Sequence, residues 1–248
     1  MSVRPVVLLT GLGRPVGIAA GIAERLATDG WDIAFVYFSR YDADVNGGAG
    51  DIPAIEEQLR ALGAATVAID ADLGEADVAS SAFDRAESLG PVKALVLSHS
   101  HSTNAGILGE TVESFDRHFA VNTRASWLLV REFARRFDQD FGRIVALTSD
   151  AIHGEIAYGA SKGALDRLIF AAAREFGARR ITANLVNPGP IDTGWMSEGV
   201  RAELLALTPS NRLGTPADAA SLVAFLLSAD GGWITGQLIK SDGGFGAP

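Results

Sequence analysis

Short apolar runs alternate with longer segments of helical period along the whole chain, and few folds satisfy that alternation. Val6 to Thr10, Ile33 to Phe38, Thr66 to Ile69, Ala94 to Leu97, Ile144 to Thr148, Ile181 to Val186 and Leu238 to Lys240 read as strands. Their near-continuous hydrophobicity suits strands covered on both faces, as in a parallel sheet. Helical periodicity lies between them at 17–29, 54–62, 75–88, 111–138, 158–177 and 216–228. The class predicted is therefore α/β: a doubly wound parallel sheet of about seven strands with helices on both faces. No repeat, low-complexity tract or linker divides residues 1–248, so a single domain is expected. The stretch Tyr41 to Asp51, with Asn46-Gly47-Gly48-Ala49-Gly50, reads as a flexible loop inside that unit.

Charge and cysteine usage narrow the chemistry. Net charge is −9 with no long Lys or Arg run, which argues against nucleic acid as a partner. The absence of cysteine excludes disulfides, thiolate catalysis and cysteine-ligated metals, and suits a reducing compartment. Met1 to Pro5 leads directly into the first strand without the pattern of a secretion signal, and no run is long enough to span a bilayer. A soluble, cytoplasmic protein with no membrane partner is expected.

Between the first strand and first helix stands Thr10-Gly11-Leu12-Gly13-Arg14-Pro15-Val16-Gly17. A glycine turn here lets backbone approach a pyrophosphate, and the helix N-terminus offers unpaired N–H groups and a favourable dipole. An ordinary βα turn is the bland alternative; the position in the first βα unit favours a dinucleotide. NAD-binding units usually carry an acid at the end of the second strand. This one ends Val36-Tyr37-Phe38-Ser39-Arg40, with no acid before Asp42 and Asp44. Arg40 can pair with a 2′-phosphate and Ser39 can donate to it, so NADPH/NADP is expected rather than NAD. Solvated arginines are the other reading.

Tyr158 and Lys162 lie four residues apart at the start of a helix and share one face. Free tyrosine titrates near 10, and a neighbouring ammonium favours its phenolate. The pair is thus a candidate acid/base centre.

These features resemble the short-chain dehydrogenase/reductase family, in its 3-oxoacyl-ACP-reductase-like branch, and the likeness runs through the whole chain. The family's fold is of Rossmann type. Thr10-Gly11-x-x-x-Pro15-Val16-Gly17 resembles Thr-Gly-x-x-x-Gly-x-Gly, with Pro15 replacing the middle glycine; Gly11, Gly13, Arg14, Val16 and Gly17 become phosphate-binding candidates. Arg14 sits where NADP-using relatives often carry a basic residue. Asp72-Leu73 resembles the pair that holds adenine. Ser149, at the end of Arg143-Ile144-Val145-Ala146-Leu147-Thr148-Ser149, falls on the catalytic serine, and Asn122 on the asparagine that supports a proton relay; as a bare buried amide it would only fix packing.

The resemblance also marks departures. Eight residues, Asp150 to Ala157, separate Ser149 from Tyr158, fewer than the family commonly has. The pocket wall is therefore expected to be shorter and more open, with His153 and Glu155 as candidates to face it. The family's Asn-Asn-Ala-Gly aligns with Leu97-Ser98-His99-Ser100, making Ser98 and Ser100 cofactor candidates; Asn104-Ala105-Gly106 is read as coincidence. His99 and His101 are expected to bond locally rather than hold a metal. Pro188, Gly189, Ile191 and Thr193 resemble the segment that fixes the nicotinamide carboxamide. Residues 194–211 resemble the substrate lid, with Trp195, Met196, Leu204 and Leu205 as apolar candidates.

The implied activity is NADPH-dependent interconversion of a ketone and a secondary alcohol on a small-molecule substrate. A homotetramer or dimer through the 111–138 and 158–177 helices is implied as well. A divergent enoyl reductase is the nearest enzymatic alternative, since Gly17-Ile18-Ala19-Ala20-Gly21-Ile22-Ala23 resembles that branch. Its Tyr and Lys are six residues apart, however, and seven after Tyr158 stands Leu165. A non-catalytic NADPH-binding sensor or scaffold is the alternative from another class.

Overall fold

The computed structural model describes residues 4–46, 50–151, 154–194 and 196–247. Strands β1 (Val6–Thr10), β2 (Asp32–Tyr37), β3 (Thr66–Asp70), β4 (Val92–Leu97), β5 (Gly142–Leu147), β6 (Ile181–Asn187) and β7 (Leu238–Lys240) form a parallel sheet in the order β3-β2-β1-β4-β5-β6-β7. The core is two apolar layers, one on each face. Alternate strand residues such as Leu8, Val36, Leu95 and Ile144 pack against α4 (Val78–Ala86), α6 (Ala125–Arg136) and α7 (Ile156–Phe176), through Phe83, Leu129, Phe133 and Leu165. Their neighbours Leu9, Phe35, Val96 and Val145 face α1 (Ile18–Thr28), α3 (Ile52–Ala61) and α9 (Pro216–Leu227), through Ile22, Leu59 and Val223. Strands apolar on both sides are what this arrangement requires.

Two elements go beyond the periodicity. α2 (Ser39–Asn46) is helical where a loop was expected to begin. Its sequence SRYDADVN has no apolar stripe, so no pattern announces it; it has Asp42 in its first turn and an Arg40–Asp44 pair at 3.9 Å. α8 (Glu198–Leu207) lies inside the expected lid, capped by Ser197 accepting from Val200 N at 3.3 Å, and none of its residues is buried. The long helix expected over 111–138 is α5 (Val112–His118), a π-helical stretch Phe119–Arg124, and α6. Of the earlier expectations, Gly47 to Ala49, His153 and Trp195 lie outside the described residues.

α1 and α9 meet closely at Gly21. A Cβ there would stand 2.7 Å from Pro216 Cβ and 2.9 Å from its carbonyl carbon, so only glycine keeps this approach. α9 is fixed at its start by a capping box between Thr215 and Asp218.

Candidate active site

Strand order reverses between β1 and β4, which opens a crevice at their carboxyl ends. A cleft of about 610 Å³ occupies it. Its walls include Gly11, Gly13 and Arg14 of the glycine turn, Asp72 and Leu73 after β3, and Ser98 to Asn104 after β4.

The glycine turn is built for close approach. Gly11 has φ +83°, and a Cβ on it would sit 2.8 Å from the His99 backbone, so a side chain is excluded twice over. Gly17 is the N-cap of α1 and supplies no capping side chain, so the first-turn amides of α1 are not capped from that position. Arg14 donates to Thr193 O at 3.4 Å, linking the turn to the segment after β6. Burial lowers the Arg14 pKa, with Asp42 opposing. Asp42 is buried and packs directly on Gly13. A glycine cradle, a helix N-terminus and a partly desolvated cation together fit an anionic dinucleotide.

At the far end, Asp72 accepts from Arg117 Nη2 at 2.8 and 2.9 Å and from Gly74 N at 2.8 Å. Val16 and Arg40, expected to touch cofactor, are exposed and do not line the cleft. Ser39 is committed to Asp70, 2.6 Å from hydroxyl to carboxylate. Gly189 has φ +64° and packs on Asp242, while Pro188 leads into it from β6; Ile191 is buried and bridges Gly214.

The segment after β4 replaces an amide-rich motif with histidines. Ser98 N and His99 N both donate to Thr10 Oγ1, at 3.2 and 3.4 Å, which anchors Ser98 to Ser100 against the glycine turn. His99 Nε2 is 3.0 Å from Val121 O, and Nδ1 is 2.6 Å from Thr10 Oγ1. A carbonyl can only accept, so Nε2 carries the hydrogen and Nδ1 accepts from the threonine. Burial, then the Lys162 charge, holds His99 down at about 3. His101, also pressed down by burial, titrates at about 4. Among the described residues no group of three His, Asp or Glu could hold a metal ion.

Asn104-Ala105-Gly106 does more than coincidence implies. Asn104 lines the cleft, and Ala105 bridges Glu155, its carbonyl accepting from Ile156 N at 3.2 Å. This contact ties the β4 loop to the start of α7. Glu155 does face the cleft.

Three consecutive residues at the end of β5 meet successive turns of α7. Leu147 O accepts from Lys162 Nζ at 2.9 Å, Thr148 Oγ1 donates to Asp166 Oδ1 at 2.5 Å, and Ser149 hydrogen-bonds the Tyr158 side chain. Ser100 hydrogen-bonds Tyr158 as well. Lys162 is buried, with its Nζ 5.7 Å from the Tyr158 ring centroid. Burial lowers its pKa to about 8, and Asp166 opposes that fall. Burial likewise pushes the Tyr158 phenol up, against the hydrogen bonds from Ser149 and Ser100. The lysine was expected to bring it down; in this site desolvation sets the direction, and what opposes it comes from the two serines.

Asn122 is fully engaged. Its Oδ1 accepts from His101 N at 2.7 Å, and Nδ2 donates to His101 O and to Ser161 Oγ, each at 2.9 Å. The amide thus clamps the β4 loop to α7, and the π-helical stretch around it provides the local widening of the helix.

A family model described as enoyl-(acyl carrier protein) reductase matches residues 11–246. The chain is 35% identical to the uncharacterized oxidoreductase YjdA of Bacillus subtilis, covering 98% of each. It is 36% identical to a chloroplastic NADPH-dependent aldehyde reductase-like protein of Arabidopsis thaliana, over 97% of this chain and 93% of that one. Among solved structures it resembles a blue fluorescent protein from a metagenomic library in complex with NADPH, with TM-score 0.88, 35% identity and 98% of each chain covered.

The chain belongs to the short-chain dehydrogenase/reductase family.

Its departures acquire meaning in that setting. In this reductase the serine and histidine segment Ser98 to His101 keeps the backbone anchorage to Thr10 that links β4 to the glycine turn. The Ala105–Glu155 bridge joins the loop after β4 to the residue just before α7. Sequence reasoning missed four contributors: Tyr41 and Asp42 on α2, Arg117, and Asp166. Arg117 could have been found as a cation five residues before the asparagine; α2 leaves no periodic signal.

Proposed function

We propose that this reductase uses NADPH to interconvert a ketone and a secondary alcohol, with Tyr158 as the proton donor. The observation that carries the reading is the Tyr158 side chain held between Ser149 and Ser100, with Lys162 buried behind it. A bound nicotinamide nucleotide would supply hydride. Gly11, Gly13, Gly17 and Arg14 would hold its phosphates, Asp72 and Leu73 its adenine, and Ile191 and Thr193 the carboxamide, with Ser39 at the 2′ end. Tyr158, pushed up by burial, stays protonated at neutral pH and so is poised to donate during reduction. Ser149 donates to the developing alkoxide, which a positioned hydroxyl stabilises more than the ground-state carbonyl. Lys162 would hold the ribose hydroxyls of a bound nucleotide and would favour the phenolate left after proton transfer. Asn122 maintains the geometry on which a relay through Lys162 depends.

The name carried by the matching family model favours a second reading, reduction of an enoyl thioester. The spacing of Tyr158 and Lys162 speaks for the carbonyl reaction. A homo-oligomer formed through α6 and α7 is part of the proposal. Those helices border a groove of about 380 Å³ that includes Trp127, Val130, Leu168 and Phe176, and Trp127 is 47% exposed. Among the described residues no helix is long and apolar enough to cross a membrane; the absence of cysteine supports a cytoplasmic setting.

The test is NADPH oxidation with a panel of ketones, β-keto thioesters and a 2-enoyl thioester. Turnover of ketones, with kcat falling at least about a hundredfold in Tyr158→Phe, is the expected result. Turnover of the enoyl thioester alone sinks the carbonyl assignment. NADPH binding without turnover of any compound, unaffected by Tyr158→Phe, identifies a sensor or scaffold instead.

A further inference from the structure

Just beyond Tyr37 and Phe38, which line the nucleotide cleft, stands a carboxylate that β2 does not itself supply. β3 pairs in parallel with β2, and their register sets Asp70 beside Tyr37. Ser39, two residues beyond Tyr37, donates twice to that side chain, from Oγ to Oδ2 at 2.6 Å and from its amide to Oδ1 at 3.1 Å. Arg40 extends outward with its side chain 82% exposed, 3.9 Å from Asp44. The two donors best placed to meet a ribose substituent are therefore spent on an acid, and the neighbouring cation is not packed in place.

A 2′-hydroxyl and a 2′-phosphate see this arrangement differently. The hydroxyl can donate to a carboxylate; the phosphate dianion offers acceptors to Ser39 but is repelled by Asp70. In dinucleotide-binding units an acid at the end of the second strand reads the ribose hydroxyl. Here an acid from the adjacent strand meets Ser39, just beyond the end of β2.

Building on the nucleotide reading above, we propose that Asp70 sets the balance between the two nicotinamide cofactors, favouring a ribose 2′-hydroxyl and opposing a 2′-phosphate at Ser39. Asp70 is exposed, so its replacement leaves the apolar layers intact.

Dissociation constants for NADPH and NADH, measured by fluorescence titration of the intact protein at fixed ionic strength, test this. In Asp70→Asn the ratio Kd(NADH)/Kd(NADPH) is expected to rise about tenfold, the scale of removing one charge beside a phosphate. Asp70→Ala should move it in the same direction, and the effect should shrink as salt is added. An unchanged ratio in both folded variants, or parallel shifts of both constants, overturns the role of Asp70 while leaving nucleotide binding standing. Wild-type protein that binds neither nucleotide overturns both readings together.

Discussion

Lys162 shows how much of this site depends on single buried charges. Its ammonium is held by the Leu147 carbonyl, and burial has brought its pKa down to about 8. Below that value it is a cation and can support Tyr158; above it the charge is lost. kcat/KM is therefore expected to decline above about pH 8, which a pH–rate profile will read. Asp166, four residues along α7, resists the fall, so Asp166→Asn should move the alkaline limb to lower pH, while Asp166→Glu should restore much of it. His99 acts in the opposite pH range. It is neutral in the folded protein down to about 3, whereas an unfolded chain takes up a proton near its ordinary 6.5. The unfolded state thus binds more protons between these values, and stability should fall as pH drops from about 6.5 toward 3. Urea unfolding at pH 7 and pH 4.5 measures this, and His99→Gln should reduce the difference between the two.

Among the elements, the pairing of α1 with α9 positions the glycine turn, because α1 begins at that turn. Their approach at Gly21 has no room for a methyl group without displacing Pro216. Gly21→Ala gains some helix propensity but forces the helices apart, and overpacking of this kind costs about 1–3 kcal/mol. A fall in Tm of about 2–8 °C by calorimetry is expected; an unchanged Tm would show that α9 shifts freely. α2 is a different kind of element. It carries Tyr41 and Asp42 to the cleft, and the Tyr41 ring lies 5.9 Å from that of His101. The π-helical stretch around Asn122 is a third case, in which side-chain bonds to His101 and Ser161 accompany the altered backbone.

At the level of the whole molecule, two apolar layers account for the rigidity of the sheet, while several large apolar side chains remain outside them. Trp127 on α6 and Trp233 before β7 are both exposed, the latter at 97%. Trp127 borders the groove between α6 and α7, where the proposed association would cover it. Trp127→Glu, placing a charge there, is expected to convert an oligomer into smaller species by light scattering while the circular dichroism spectrum is retained. A wild-type protein that runs as a monomer would remove the association from the proposal. α8 has no buried residue; Leu204 on it and Met196 just before it are half-buried.

The alternation of strands and helices, the glycine turn and the Tyr158–Lys162 spacing are local patterns. Each follows from hydrophobic period or from a helical repeat, so the amino-acid sequence alone determined the sheet, the crevice and the face on which the acid/base pair stands. What it could not convey is which distant residues share a contact. Thr10 with His99, Ser39 with Asp70 and Thr148 with Asp166 are joined only when register and helix placement are set. α2 escaped notice because its few apolar residues, Tyr41, Ala43 and Val45, make no helical stripe. The direction of the Tyr158 shift was also decided by tertiary structure. Spacing supplied the ammonium, but burial, which depends on everything packed around the phenol, set the direction of the shift.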